Sequence, residues 1–211
     1  TGIEIDARLS KDGVPFIYHD SDINLRLTQK SLIWGKIEEF TWPQIRTLIT
    51  LRNGEKIPSL REALEYTLEK TNIRVVWLDT KDVDVVQASI ELMDEILERA
   101  GLMGRDLKIY LGIPADDVYQ AFISYPGYQD IPSLCELSVE QLRQANSQVW
   151  APRWTQGLQT AEVQQLQAEG RKVFTWTLDE SSYIEEFINA GQFDGILTNY
   201  PTIVSYYYYI K

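Results

Sequence analysis

The sequence predicts an α/β fold assembled from βα units around a mainly parallel sheet, and three observations carry that reading. Short apolar runs alternate with longer amphipathic segments almost to the C-terminus, and no antiparallel meander interrupts the rhythm. The 211 residues are 44% hydrophobic and 24% charged, as expected of one globular domain over residues 1–211. No glycine-rich phosphate loop follows any strand, which disfavours a doubly wound nucleotide-binding sheet relative to a (β/α)8 barrel, although both fit the alternation.

The elements follow in order. A strand is expected at residues 3–9, where Ile3-Glu4-Ile5-Asp6 alternates, already under way as the chain opens at Thr1. Residues 11–58 break the rhythm with a turn at Lys11-Asp12-Gly13, an extended piece at 14–18 and a loop holding Trp34, Trp42 and Pro43. Long excursions of this kind in a regular α/β fold tend to carry function. Helix 59–70 starts with Ser59 as N-cap and Glu62 at the capping-box position, and helix 83–100 ends at Gly101. Further helices are expected at 114–125, at 138–146 with a Ser138/Gln141 capping box, at 160–170 and at 181–191. Strands fall between them at 73–79, 107–111, 132–137, 148–152, 172–177 and 194–198. The tyrosine run at 206–209 reads as terminal packing. An eight-stranded barrel takes ~250 residues, so the chain is short by one βα unit.

Composition excludes several function classes. With 20 Lys plus Arg against 31 Asp plus Glu, the net charge of −11 repels phosphate backbones, and no nucleic-acid partner is expected. No apolar run approaches the ~18 residues of a membrane span. The single cysteine, Cys135, excludes an internal disulfide or a multi-thiolate metal site, and the single histidine, His19, excludes any site needing two imidazoles from this chain.

A few residues have the chemistry of a site. Glu4 and Asp6 are two apart on a strand and project from one face. In a barrel interior two carboxylates need a cation, and a hard divalent metal is the usual solution; a solvated acidic edge is the alternative. Asp79 ends the most apolar strand and Lys81 follows on the same side, where an ammonium would meet a phosphate oxygen opposite the metal, or form an ordinary surface ion pair. His19 closes a short extended run beside Asp20, where an imidazole can pass a proton to a leaving alkoxide and the carboxylate can orient it.

Taken together, Glu4-Ile5-Asp6, Ser10-Lys11-Asp12-Gly13-Val14-Pro15, His19-Asp20 and Arg26-Leu27-Thr28 resemble in order and spacing the first half of the glycerophosphodiester phosphodiesterase family. Residues 57–64, with the proline-led helix start, and Leu78-Asp79-Thr80-Lys81 continue the match. Residues 173–179 and 194–201 resemble the family's last two strand signatures, and residues 107–147 are the least specific part.

The resemblance implies a (β/α)8 TIM-type barrel of the phosphatidylinositol-phosphodiesterase-like kind, with its first βα unit missing or truncated. It implies hydrolysis of glycerophosphodiesters to glycerol phosphate and an alcohol with one divalent metal, Ca2+ or Mg2+, the partner being a small-molecule glycerophosphodiester or lysophospholipid substrate. Glu4, Asp6 and Asp79 carry over as metal ligands, His19 as one of two catalytic histidines, Lys81 as a phosphate contact and Trp176 as an aromatic wall for glycerol. The family's His-Arg-Gly and Glu-Asn-Thr motifs are not in this chain, Asp79 stands where the family usually has glutamate, and Asn199 where it usually has aspartate. An N-terminally incomplete copy of the enzyme is therefore expected, with a gap or a substitute element where the first strand would lie. A non-catalytic barrel acting as a phosphate-ligand binding or scaffold module is the alternative.

Overall fold

The computed structural model describes residues 1–210. The chain opens with β1 (Gly2–Leu9), which turns at Gly13 and returns as β2 (Pro15–Ile17). The excursion then forms a hairpin of β3 (Thr28–Ser31) and β4 (Ile49–Leu51) around α1 (Trp42–Leu48). Regular alternation follows: α2 (Leu60–Lys70), β5 (Val75–Thr80), α3 (Val85–Leu102), β6 (Lys108–Ile113), α4 (Asp116–Ser124), β7 (Ser133–Cys135) and α5 (Val139–Gln144). The chain ends with β8 (Val149–Trp150), α6 (Thr160–Ala168), β9 (Lys172–Thr175), α7 (Ser181–Ala190), β10 (Gly195–Ile196) and α8 (Pro201–Ile210).

The main sheet runs β10-β9-β8-β7-β6-β5-β1-β2. Its first seven members are parallel, and they are the seven strands expected from the sequence; β2 joins antiparallel. Side-chain alternation sorts two cores. Val76, Leu78, Ile109 and Leu111 point outward onto Leu64, Leu68, Ile90 and Met93 of the helices, and Ile3 and Ile5 of β1 pack on the same layer. Trp77, Tyr110, Leu134, Val149 and Ala151 point inward, with Phe174 and Trp176 beside them. A sheet with a helix-covered outer face and side chains filling its concave face is the barrel arrangement. The outer edge of β1 is paired by β2 only over Ala7–Leu9. Between Gly2 to Glu4 and Asp194 to Leu197 lies a cavity of about 280 Å³, lined also by Trp77 and Phe174.

The excursion differs from the loop the sequence predicts, since it holds β3, α1 and β4. Trp42 and Pro43 open a helix rather than sitting in a loop, because Thr41 and Gln44 form a capping box and the Trp42 N–H donates to the Asp12 carboxylate at 2.7 Å. Seven residues are too few to show a helical period. The excursion also has a core of its own, with Phe16, Tyr18, Ile23, Ile37, Ile45, Ile49 and Ile57 buried together. The tyrosine run lies in α8, where Tyr207 packs on the C-terminal core while Tyr206, Tyr208 and Tyr209 are exposed. No helix among the described residues is long and apolar enough to cross a membrane.

Candidate active site

The register of β1 on β5 creates the site. Asp6 sits opposite Asp79 and Glu4 opposite Trp77, so two neighbouring strands about 4.8 Å apart bring their inward carboxylates face to face. One oxygen each from Glu4, Asp6 and Asp79 lies within 4.8 Å of the others. Lys81, tied to β1 through its N–H to the Ala7 carbonyl, places Nζ 2.8 Å from Asp6 Oδ1 and also donates to Asp79 Oδ2.

Charge does not balance here. Burial, then the charges of Asp6 and Asp79, push the Glu4 carboxyl well above the usual range. Burial also pushes Asp79 up, against the pull of Lys81. Burial alone would lower the Lys81 ammonium, but Asp79 and Asp6 outweigh it and hold it above its ordinary value. Glu4 Oε1 and Asp79 Oδ1 are shut off from solvent without a hydrogen-bond partner. Hard oxygen donors, left over after one ammonium is spent, suit a divalent cation of the Ca2+ or Mg2+ kind, and these three residues would hold it.

His19 approaches from the excursion. Tyr18 N–H donates to the Asp6 carbonyl at 3.0 Å, and Asp6, His19 and Arg26 line one cavity of about 400 Å³. His19 Nδ1 is 2.6 Å from Asp20 Oδ1 and 3.1 Å from Arg26 Nη2. One nitrogen cannot donate to the first and accept from the second at once. The shorter contact, to a carboxylate, assigns the proton to Nδ1 and leaves Nε2 free for a reacting proton. Burial works against the Asp20 charge, but Arg26, Asn24 and His19 outweigh it and hold its carboxyl well below the usual range.

Arg8 holds this loop. The residue is 7% exposed, and its Nε and Nη2 donate to the carbonyls of Tyr18 and His19 at 3.2 and 3.0 Å, while Nη1 pairs with Glu38. Trp176 lies on the inner face, with Nε1 donating to the Ala151 carbonyl at 2.8 Å, edge-on to Trp77 at 6.3 Å. The Arg153 guanidinium stacks over it at 4.3 Å. Arg8, Glu136 and Arg153 were not singled out in the sequence. The two-residue period had the signal, since Arg8 follows Asp6, and Glu136 follows Leu134, on the inward face.

Asn199 has a local reason. Its N–H and Nδ2 donate to the two oxygens of Asp179 at 2.8 Å each, and Thr198 adds a third donor. The carboxylate of an aspartate at 199 would face Asp179 with no proton to give, leaving the backbone N–H and Thr198 as the remaining donors.

Residues 1–203 match the model of the glycerophosphoryl diester phosphodiesterase family. Among curated proteins, human glycerophosphodiester phosphodiesterase 1 is 39% identical over 72 residues, 30% of this chain and 20% of the human protein. The mouse protein of that name is 31% identical over 99 residues, 43% of this chain and 28% of the relative. The matches thus span well under half the length of the curated relatives. Among solved structures, a glycerophosphodiester phosphodiesterase from Parabacteroides distasonis superposes with a TM-score of 0.75 at 24% identity, covering 99% of this chain and 84% of that one. A phosphodiesterase from Oleispira antarctica, solved with the product sn-glycerol-3-phosphate, has the same TM-score at 20% identity, covering 97% and 83%. These likenesses establish the fold as that of the TIM-barrel phosphodiesterases. With its sequence matched over residues 1–203, the chain belongs to the glycerophosphoryl diester phosphodiesterase family.

Proposed function

We propose that this chain hydrolyses small-molecule glycerophosphodiesters to glycerol phosphate and an alcohol, or lysophospholipids to an acylglycerol phosphate and an alcohol, using one divalent metal, Ca2+ or Mg2+. The observation that carries the proposal is the inward triad of Glu4, Asp6 and Asp79 with Lys81 at its edge, in a member of this family. Glu4, Asp6 and Asp79 would hold the metal, which when bound supplies electrophilic stabilisation of the phosphate charge. Lys81 offers its Nζ to a phosphate oxygen once the metal takes over its two carboxylate partners. His19, oriented through Nδ1 by Asp20, moves a proton at Nε2 and protonates the departing alkoxide. Trp176 presents an apolar wall to the glycerol carbons.

The test is release of choline from glycerophosphocholine and from lysophosphatidylcholine, with Ca2+ or Mg2+ and with EDTA. Turnover that requires the metal and is lost in Glu4→Ala or Asp6→Ala is the expected result. Undiminished turnover in EDTA by both variants would show that the triad is only an acidic face. One observation favours a second reading, a binding module without turnover: His19 is the single histidine of these 211 residues, so within them the proton transfers fall to one imidazole. Metal-dependent binding of glycerol phosphate with no diester cleavage would establish that reading instead.

A further inference from the structure

Glu136 follows β7 directly, at the strand end where Asp79 stands on β5 and Lys81 follows that strand. Leu134, two residues before it, belongs to the inward core, so the strand period aims the Glu136 side chain into the same mouth. Its backbone is fixed there by an N–H bond to the Ile113 carbonyl at 3.1 Å. Between β5 and β7 the sheet places Gly112 level with Asp79, and no side chain rises from it; a Cβ there would meet Trp77 Nε1 at 2.9 Å. The Trp77 indole takes the place a side chain at Gly112 would fill, so no side chain of β6 stands level with Asp79.

Glu136 has no assigned work. Its Oε1 is closed to solvent and has no hydrogen-bond partner, it lies outside the carboxylate triad, and none of its neighbours pairs with it. Lys81 is taken by Asp6 and Asp79, and Arg153 is laid on Trp176. Burial, with the Asp79 charge adding and Lys81 and Arg153 opposing, pushes its carboxyl up to about 8. A buried acceptor without a partner is costly in the free protein, and a ligand that supplies the missing donor recovers that cost.

We propose that Glu136 contacts the substrate and accepts a hydrogen bond from a free hydroxyl of the glycerol moiety. The inference rests on the phosphodiesterase reading and deepens it by naming what selects glycerol. Two strand spacings separate β5 from β7, about 10 Å between backbones, and inward side chains shorten that to the span of a glycerol attached to a phosphate at Lys81. Trp176 and Arg153, on the next strands of the same rim, bound that space on its far side.

The experiment is direct binding, by calorimetry in Ca2+ or Mg2+, of sn-glycerol 3-phosphate and of propyl phosphate, which has no hydroxyl. The wild-type chain is compared with Glu136→Ala and with the isosteric Glu136→Gln. We expect the wild type to prefer glycerol phosphate by about 10- to 100-fold, Glu136→Ala to erase the preference while leaving propyl phosphate unchanged, and Glu136→Gln to keep part of it through its carbonyl oxygen. Equal loss for both ligands in Glu136→Ala, or no preference in the wild type, overturns the assignment. Diester hydrolysis by the wild type, followed in parallel, separates the two levels. Preference without turnover sinks the reaction and leaves the contact standing, whereas turnover without preference does the reverse.

Discussion

Lys81 Nζ lies 2.8 Å from Asp6 Oδ1 and donates to Asp79 as well, so a single ammonium is held by two of the three clustered carboxylates. On the proposed function the lysine would compete with a metal for these oxygen donors and, with a metal bound, would turn to a phosphate. Lys81→Met should therefore move two quantities in opposite directions. Metal affinity, measured by calorimetry, rises, because a competing cation is gone, while kcat falls ~100- to 1,000-fold with the loss of a charge on the transferring phosphate. A fall in both would mean that Lys81 only organises the triad.

Metal binding should release protons. Glu4 is held protonated well above the ordinary carboxylate range in the metal-free protein, and a metal ligand must be ionised. Apparent affinity should fall as pH drops from 8 to 6, and the binding heat should depend on the ionisation enthalpy of the buffer. The sign for stability is the converse. A carboxyl with a folded pKa above its unfolded value binds protons better when folded, so the metal-free protein loses stability as pH rises above the unfolded carboxylate range, and metal flattens that slope. Thermal unfolding from pH 5 to 8, with and without metal, measures it. A slope indifferent to metal would place the titrating group elsewhere.

Arg8 is a positioning residue for His19. Arg8→Gln removes the bonds to the Tyr18 and His19 carbonyls and strands Glu38, and should destabilise the chain by ~2–4 kcal/mol in urea denaturation. Adding Glu38→Gln should restore part of the stability but not the kcat, since the loop carrying His19 remains unanchored. Full recovery of both would reduce Arg8 to a structural ion pair.

Asn199→Asp should cost ~1–3 kcal/mol at pH 7, because its carboxylate would oppose Asp179 and leave that residue without its Nδ2 donor. Burial works against the Asp179 charge, yet the Asn199 and Thr198 donors outweigh it and hold its carboxyl below the usual range. The deficit should shrink as pH falls through the carboxylate range and one of the two acids gains a proton. A deficit unchanged from pH 7 to pH 4 would point to packing instead.

The sequence by itself determined most of the scaffold and the identity of the carboxylates. Seven strands and the regular helices were legible because each carries its own signal: a two-residue period in Glu4 and Asp6, and a side-chain cap at Ser59 and Ser138. Glu4, Asp6, Asp79, Lys81 and His19 could be picked out by residue type, strand position and family resemblance. Tertiary structure decided what none of those signals encodes. The register that sets Asp6 opposite Asp79 is a property of two strands far apart in sequence, and one step of slip would turn every inward carboxylate outward. The helix at Trp42 starts with a bond from its N–H to Asp12, thirty residues away, and the core of the excursion forms through contacts between its two ends. Arg8 and Glu136 matter only because neighbouring elements enclose them. A charge is ordinary in water and costly behind a strand, and burial of that kind is settled by the whole fold rather than by any local run of residues.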